Sequence, residues 1–218
     1  MSGIVSYGAY IPYWRLQRSA IGAALRTAGG RGTRSVASYD EDTTSMAVEA
    51  GRIALAAAPA GYVPFNVWFG TATPAYLDKT NATAIHAALA LPELGGAYDT
   101  MGSVRSSVAT MMAAGGWGAQ MGLVADIRVG LPGGSDETNG GDAAAALCFG
   151  QEGVIAEVIG GASVTAEFID RWRAPGDEAS KQWEERFGEY AYGPLAAKAV
   201  ASALTGANLT IDAVDHVI

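Results

Sequence analysis

Short runs of strand-forming residues alternate with alanine-rich stretches of helical spacing along the first 150 residues, and that alternation restricts the chain to layered α/β folds. Gly3 to Ile11 mixes Ile4, Tyr7 and Ile11 with small residues and stops at Pro12, which reads as a first strand. Helical spacing follows from Arg18 to Ala28. It returns in TTSMAVEAGRIALAAA, where Met46, Ile53 and the alanines share a face, Asp42 or Thr43 is placed to cap the start, and Pro59 and Gly61 stop the run. Then come strand FNVWFGTAT, helix NATAIHAALAL, strand GGAYDTMG, helix SVRSSVATMMAAGGW, strand MGLVADIRVG and, after a Gly/Ser/Asp turn, strand GDAAAALCFG. Crossovers of this kind put helices on the faces of a sheet. The 29 glycines in 218 residues are about twice the usual share, which suits close backbone approaches.

Beyond this region the composition changes. RWRAPGDEASKQWEERFGEYAY is richer in charge and aromatics than anything before it and reads as an excursion. An alanine-rich helix is expected from Pro194 to Ala207, and LTIDAVDHVI reads as a loop and a new strand running to Ile218. Such a strand calls for a second sheet-containing half, either on further sequence or on a partner chain. The expected division is a half over 1–175, then an excursion, a helix and a first strand over 176–218.

Half of the residues are hydrophobic, 17% are charged and the mean hydropathy is +0.16, so the chain can bury a sizeable core. A net charge of -8 with a pI near 4.7 repels a phosphate backbone and argues against nucleic acid, while leaving room for a local basic pocket that holds a small anion. One cysteine, Cys148, allows no internal disulfide, and with two histidines it offers no zinc spacing; no metal is expected. No export signal or membrane anchor is visible, so a reducing, cytoplasmic setting is expected.

Two places draw attention for chemistry. The polar stretch GGRGTRSVASYDED, read as a loop, carries Arg31 and Arg34 close together, a plausible anion contact as well as an ordinary solvated turn. In AYDTMGSVRSSV a strand runs into a helix that begins near Ser103. That turn presents a hydroxyl and nearby amides at a positive helix end, where serine also serves simply as a cap.

GIVSYGAYIP, ASYDEDTTSMAVEAGRIAL, YDTMGSVRSS, VADIRVGL, GGDAAAALCFG and DRWRAPGD occur in the order and approximate spacing of a known family. Through them the chain resembles the N-terminal half of the hydroxymethylglutaryl-CoA synthase branch of the thiolase superfamily. The resemblance implies a thiolase-like layered αβαβα fold, with the N-terminal half complete and the C-terminal half only begun. It implies an acyl-CoA substrate, coenzyme A as part of that substrate and no other cofactor, and a homodimer formed through an edge strand. The family's cysteine nucleophile falls at Ser103, and its glutamate base, after an Ala-Thr pair, falls at Pro74 following Ala72 and Thr73. His216 stands a few residues too early for the catalytic histidine. Arg31 and Arg34 match the place of CoA contacts and Asn139 that of a polar substrate contact. Two functions stay open. One is a carbon-carbon bond made or broken beside a thioester without the cysteine, with tyrosines as acid or base. The other is a non-catalytic acyl-CoA-binding or scaffold subunit; related proteins lacking the cysteine pair with an OB-fold protein carrying a zinc ribbon.

The remaining polar residues have structural readings. Cys148 sits in the apolar run ALCF as a small buried hydrophobe. His86 belongs to an alanine-rich helix as a surface or packed residue. Asp40, Glu41 and Asp42 favour a helix start. Asp170, Arg171, Trp172 and Arg173 brace the excursion by pairing and stacking.

Overall fold

In this computed structural model, which describes residues 2–116 and 118–217, the chain divides into two compact units, Met1–Glu157 and Val158–Ile218. The first contains β1 (Gly3–Tyr10), β2 (Trp14–Gln17), α1 (Arg18–Leu25), β3 (Thr33–Val36), α2 (Thr43–Ala56), β4 (Asn66–Thr71), α3 (Asn81–Ala88), β5 (Gly96–Met101), α4 (Arg105–Ala114), β6 (Gln120–Asp126), α5 (Ser135–Asn139) and β7 (Ala143–Gly150). Five strands form one mixed sheet in the order β1-β7-β6-β4-β5. β4 runs parallel to both β5 and β6, whereas β7 is antiparallel to β6 and β1.

The sheet carries helices on both faces because its strands alternate. In β6, Gly122 lies under α4, where an added Cβ would stand 3.0 Å from Met111 Sδ and 3.1 Å from the Ala114 Cβ. Its neighbour Leu123 points the other way, toward Gly51 of α2. Val67, Phe69, Met121, Leu123, Ala146 and Cys148 meet Met46, Ala47, Ala50 and Ile85 in the main core, so the α2 face is the dry one. Alanines and glycines let α2 approach: Ser6 of β1 donates its hydroxyl to Ala54 O at 2.8 Å. A capping box starts α2, with Ser45 N donating to Asp42 Oδ1 at 2.7 Å and Asp42 N donating to Ser45 Oγ at 2.8 Å.

Several expectations need correction. The stretch read as one loop from Gly29 to Asp42 contains β3, paired antiparallel with β2 to make a separate hairpin. These two strands of four residues have little apolar alternation to reveal them. The Gly/Ser/Asp turn before β7 contains the single turn of helix α5. The second unit contains a two-residue pairing of β8 (Arg171–Trp172) with β9 (Lys181–Gln182), and helix α6 (Glu185–Gly206), which begins nine residues before Pro194 and carries that proline within it. A proline fits the first helical position, where its missing N–H costs nothing, which is why the sequence points to a start at Pro194. After α6 the chain makes a 3-10 turn, Ile211–Ala213, and residues 214–217 pair with no strand. A strand is completed by a hydrogen-bonded neighbour, and among the described residues those positions have none. Ile218, the expected end of that strand, and Trp117, in the last part of the helix expected before β6, lie outside the described residues. Among the described residues no helix is long and apolar enough to cross a membrane.

Candidate functional site

The C-terminal ends of three adjacent parallel strands carry the segments with chemical interest, as is general for ligand sites of α/β sheets. Thr71 of β4 is in register with Met101 of β5, so Thr73 and Ser103, each two residues further on, leave neighbouring strand ends. Gly70 of β4 is in register with Val124 of β6, which brings Asp126 to the same edge.

Ser103 is exposed in the bend between β5 and α4. Gly102 makes the turn possible, with φ at +114°, a conformation that side chains rarely adopt. Ser103 N donates weakly to Ser106 Oγ at 3.4 Å, and Ser103 O accepts from Ser106 N at 3.0 Å. Val104 holds the N-cap position and supplies no side-chain cap, so the positive end of the helix lies open beside Ser103. The Ser103 hydroxyl forms no hydrogen bond with another described residue, and the capping role considered for it is not what the structure shows. Depth is set by packing beneath: Thr110, fully buried, donates to Ser106 O at 2.9 Å and shares a hydrogen bond with the Thr100 hydroxyl.

The neighbouring loop is held just as firmly. Asp126 Oδ1 accepts from Ala72 N at 2.7 Å and from the Thr71 hydroxyl at 3.1 Å, while the Thr73 hydroxyl lies 3.4 Å away and accepts from Ile127 N at 3.1 Å. Thr73 O accepts from the Thr43 hydroxyl at 3.0 Å, tying the loop to the start of α2. Farther along, Asn81 is wholly buried; its amide donates to Tyr76 O at 3.0 Å and Lys79 O at 3.2 Å. Asp99 of β5 caps α3 in turn, accepting from Asn81 N and Ala82 N, each at 2.7 Å. Sequence reasoning missed Asp99, Asp126, Asn81 and Asp142. The signal was there: a carboxylate inside or just beyond an apolar strand, as in YDTM and VADI, must find donors.

The arginines fare differently from one another. Arg31 is exposed in the bend before β3, and its carbonyl accepts from Arg18 Nη1 at 3.5 Å. Arg34 lies in β3 rather than a loop and is only 7% exposed; its guanidinium pairs with Asp142 at 3.0 Å. It also donates to Asp136 O and Glu137 O of α5, the helix that ends at Asn139. Asn139 is exposed. Arg34 and the helix bearing Asn139 are therefore brought together, while among the described residues no hydrogen bond joins Ser103 to Arg31, Arg34 or Asn139.

Other titratable groups stand apart from this edge. Cys148 is wholly buried in β7, and burial pushes its thiol up, as expected of a packed residue. Tyr62 donates to Gln120 O at 2.7 Å and Phe149 O at 2.9 Å, and its phenol is raised chiefly by burial. Tyr10 donates to the Glu41 carboxylate, which pushes it up to about 12. His86 is half-buried on α3 and His216 is exposed. A groove of about 500 Å³ lined by Phe65, Asn66, Trp68, Ala113 and Gln120 lies toward the opposite ends of β4 and β6, away from Ser103.

No family model matches the chain. Among curated proteins it is 28% identical to the hydroxymethylglutaryl-CoA synthase of Picrophilus torridus, an alignment covering all of this chain and 66% of that protein. It is 32% identical to the synthase of the same name from Methanocaldococcus jannaschii, over 88% of this chain and 60% of that one. Among solved structures, an HMG-CoA synthase complexed with CoA superposes with a TM-score of 0.81 at 14% identity, over 97% of this chain and 57% of that chain. MvaS in complex with 3-hydroxy-3-methylglutaryl coenzyme A gives 0.80 at 19% identity, over 99% and 56%. A 3-oxoacyl-(acyl carrier protein) synthase III, FabH from Pseudomonas aeruginosa PAO1, gives 0.76 at 19%, over 99% and 74%. The chain spans 66% and 60% of the length of these two curated relatives.

Proposed function

Because the chain resembles the hydroxymethylglutaryl-CoA synthase branch of the thiolase superfamily in sequence and has a thiolase-like fold, we propose that it binds an acyl-CoA thioester at the edge formed by Thr73, Ser103 and Asp126. It then takes part in a Claisen, aldol or retro-aldol step beside the thioester carbonyl. The observation that carries this reading is the open start of α4, with Ser103 exposed and no side-chain cap, next to a loop that three strands and α2 hold in place. A thioester oxygen seated there gains backbone N–H groups where negative charge develops as an enolate forms. Position 103 offers a hydroxyl, which stays protonated at neutral pH where a thiol at a helix start ionises. The serine therefore binds and orients the acyl group rather than forming an acyl-enzyme. Arg31 and Asn139, both exposed, are the proposed contacts to the CoA and acyl portions; coenzyme A enters as substrate, and no other cofactor or metal is required. We place the protein in the reducing cytoplasm, with its one thiol buried.

A second reading has its own support. By the resemblance, Pro74 falls at the place of the family's carboxylate base and Ser103 at that of its nucleophile, which implies that both groups are replaced. A non-catalytic acyl-CoA-binding subunit, working with an OB-fold and zinc-ribbon partner, fits that replacement as well. The edge strand β5, bonded to β4 on one side only, is the proposed homodimer contact.

Calorimetric titration with CoA and with acetyl-CoA tests both. The expected result is saturable binding that Ser103→Trp abolishes by filling the open helix start while the fold, monitored by circular dichroism, is kept. Absence of binding to either ligand overturns both readings. Release of a shorter acyl-CoA from a β-hydroxy or β-keto acyl-CoA, followed by chromatography, favours the enzyme; binding without turnover favours the subunit.

A further inference from the structure

All five N–H groups of the Arg34 guanidinium are spent inside the chain. Nε donates to Ser35 O at 3.4 Å, Nη1 to Asp136 O at 3.1 Å and Glu137 O at 3.0 Å, and Nη2 to Arg128 O at 2.7 Å and Asp142 Oδ1 at 3.0 Å. Asp142 is equally committed: Oδ1 also accepts from Arg128 N at 2.8 Å and Oδ2 from Ala37 N at 2.8 Å. The two side chains are 6% and 3% exposed. Ser35 closes the same junction, its hydroxyl donating to Asp142 O at 2.7 Å.

These partners come from separated parts of the chain: the β2–β3 hairpin, the exit of β6, helix α5 and the start of β7. Arg34 thus fastens the passage at Arg128, Asp136 and Glu137 to the hairpin, while Asp142 at its end is also tied there by Ser35 and Ala37. A guanidinium with no donor left reaches a phosphate only by surrendering buried bonds, which leaves carbonyls and a carboxylate unpaired. Its planar fork suits a site with acceptors on several sides, where an ammonium would serve fewer.

We infer that Arg34 is a positioning residue rather than a CoA ligand: neutralised by Asp142, it latches the 128–142 segment to the β2–β3 hairpin and so fixes Asn139 at the end of α5. The placement of Asn139 toward substrate rests on the acyl-CoA reading above; the latch rests on the contacts alone.

Arg34→Met, Arg34→Lys and Asp142→Asn, made in the full chain, test this by two measurements below the melting temperature of each variant. Amide hydrogen exchange is followed at Arg128, Gly140 and, as a control, in β4. CoA affinity is titrated across a range of salt concentrations. Expected for Arg34→Met is exchange at Arg128 and Gly140 at least about tenfold faster, unchanged β4, and CoA binding severalfold weaker with the wild-type salt dependence. Arg34→Lys should fall between, and Asp142→Asn should repeat the pattern; these two carry the test where Arg34→Met does not fold. Unchanged exchange in the variants overturns the latch. Weaker binding with a flattened salt dependence makes Arg34 a direct ligand, and full CoA affinity despite fast exchange leaves it merely structural; either overturns the inference. Should the wild-type protein bind no CoA, the acyl-CoA reading falls while the exchange measurement still decides whether the latch exists.

Discussion

Two side chains, Ser103 and Cys148, mark the contrast between an accessible and an inaccessible position in one molecule. Cys148 has no exposed surface and its thiol is raised by burial, so iodoacetamide at pH 8 should leave it unmodified in the native protein and label it once urea unfolds the chain. Ser103→Cys, placed at the open start of α4, should be alkylated in the native state well ahead of Cys148, with peptide mapping as the measurement. Native labelling at 148 would contradict the packing of β7 against α2. Tyr10 supplies a pH signature. Its phenol donates to the Glu41 carboxylate and titrates near 12 in the folded chain, above the ordinary value of 10.0. A raised folded value means that the bond's stabilisation is complete below pH 10 and disappears as the pH climbs toward 12. Urea midpoints should therefore fall over that interval, and Tyr10→Phe should fall less steeply.

At the scale of elements, α4 and α3 depend on single contacts that locate the site. Gly70 allows α4 to lie against β4, and a methyl there would run into the Thr110 hydroxyl. Gly70→Ala is expected to cost about 1–3 kcal/mol, the usual range for overpacking, and Gly70→Ala with Thr110→Ala less than the sum of the two single changes, read from urea unfolding as a double-mutant cycle. Asp99→Ala removes the acceptor of two backbone N–H groups at the start of α3 and should cost about 1–2 kcal/mol by the same measurement. Helices α2 and α3 and strands β1, β4, β5, β6 and β7 were legible because their apolar spacing is strong and their ends are punctuated by Pro, Gly or Asp. The β2–β3 hairpin was not, since it pairs two four-residue strands without apolar alternation, whose partners are named only by folding. For the same reason Arg34 read as a loop charge: the five acceptors that claim it lie next to it in sequence or about a hundred residues away. The turn at Ser103 was legible in place, because a strand, a glycine and a helix follow one another there, while the Asp126 anchor beside it depends on strand register that no local pattern encodes.

For the molecule as a whole, core formation is unevenly shared between the two compact units. Among the described residues the buried hydrophobic ones lie in the first, most of them in the layers around the five-stranded sheet, and no side chain of 158–217 is buried. Helix α6 runs for 22 residues, yet helices draw most of their stability from a buried face, and Pro194 removes one of its backbone bonds as well. Local contacts of the second unit, such as Tyr192 donating to Asp170 Oδ2 at 2.7 Å and Phe168 edge-on to Tyr192 at 5.1 Å, tie its own parts together without excluding water. Limited trypsin digestion should therefore cut first at Arg171, Arg173, Lys181, Arg186 or Lys198 and leave a resistant fragment containing the sheet, identified by intact mass. The same uneven distribution predicts a urea m-value below that of a 218-residue domain with one continuous core, because m scales with the surface exposed on unfolding. First cuts at Arg52 or Lys79, inside the sheet unit, would show that stability is not concentrated where the apolar side chains are.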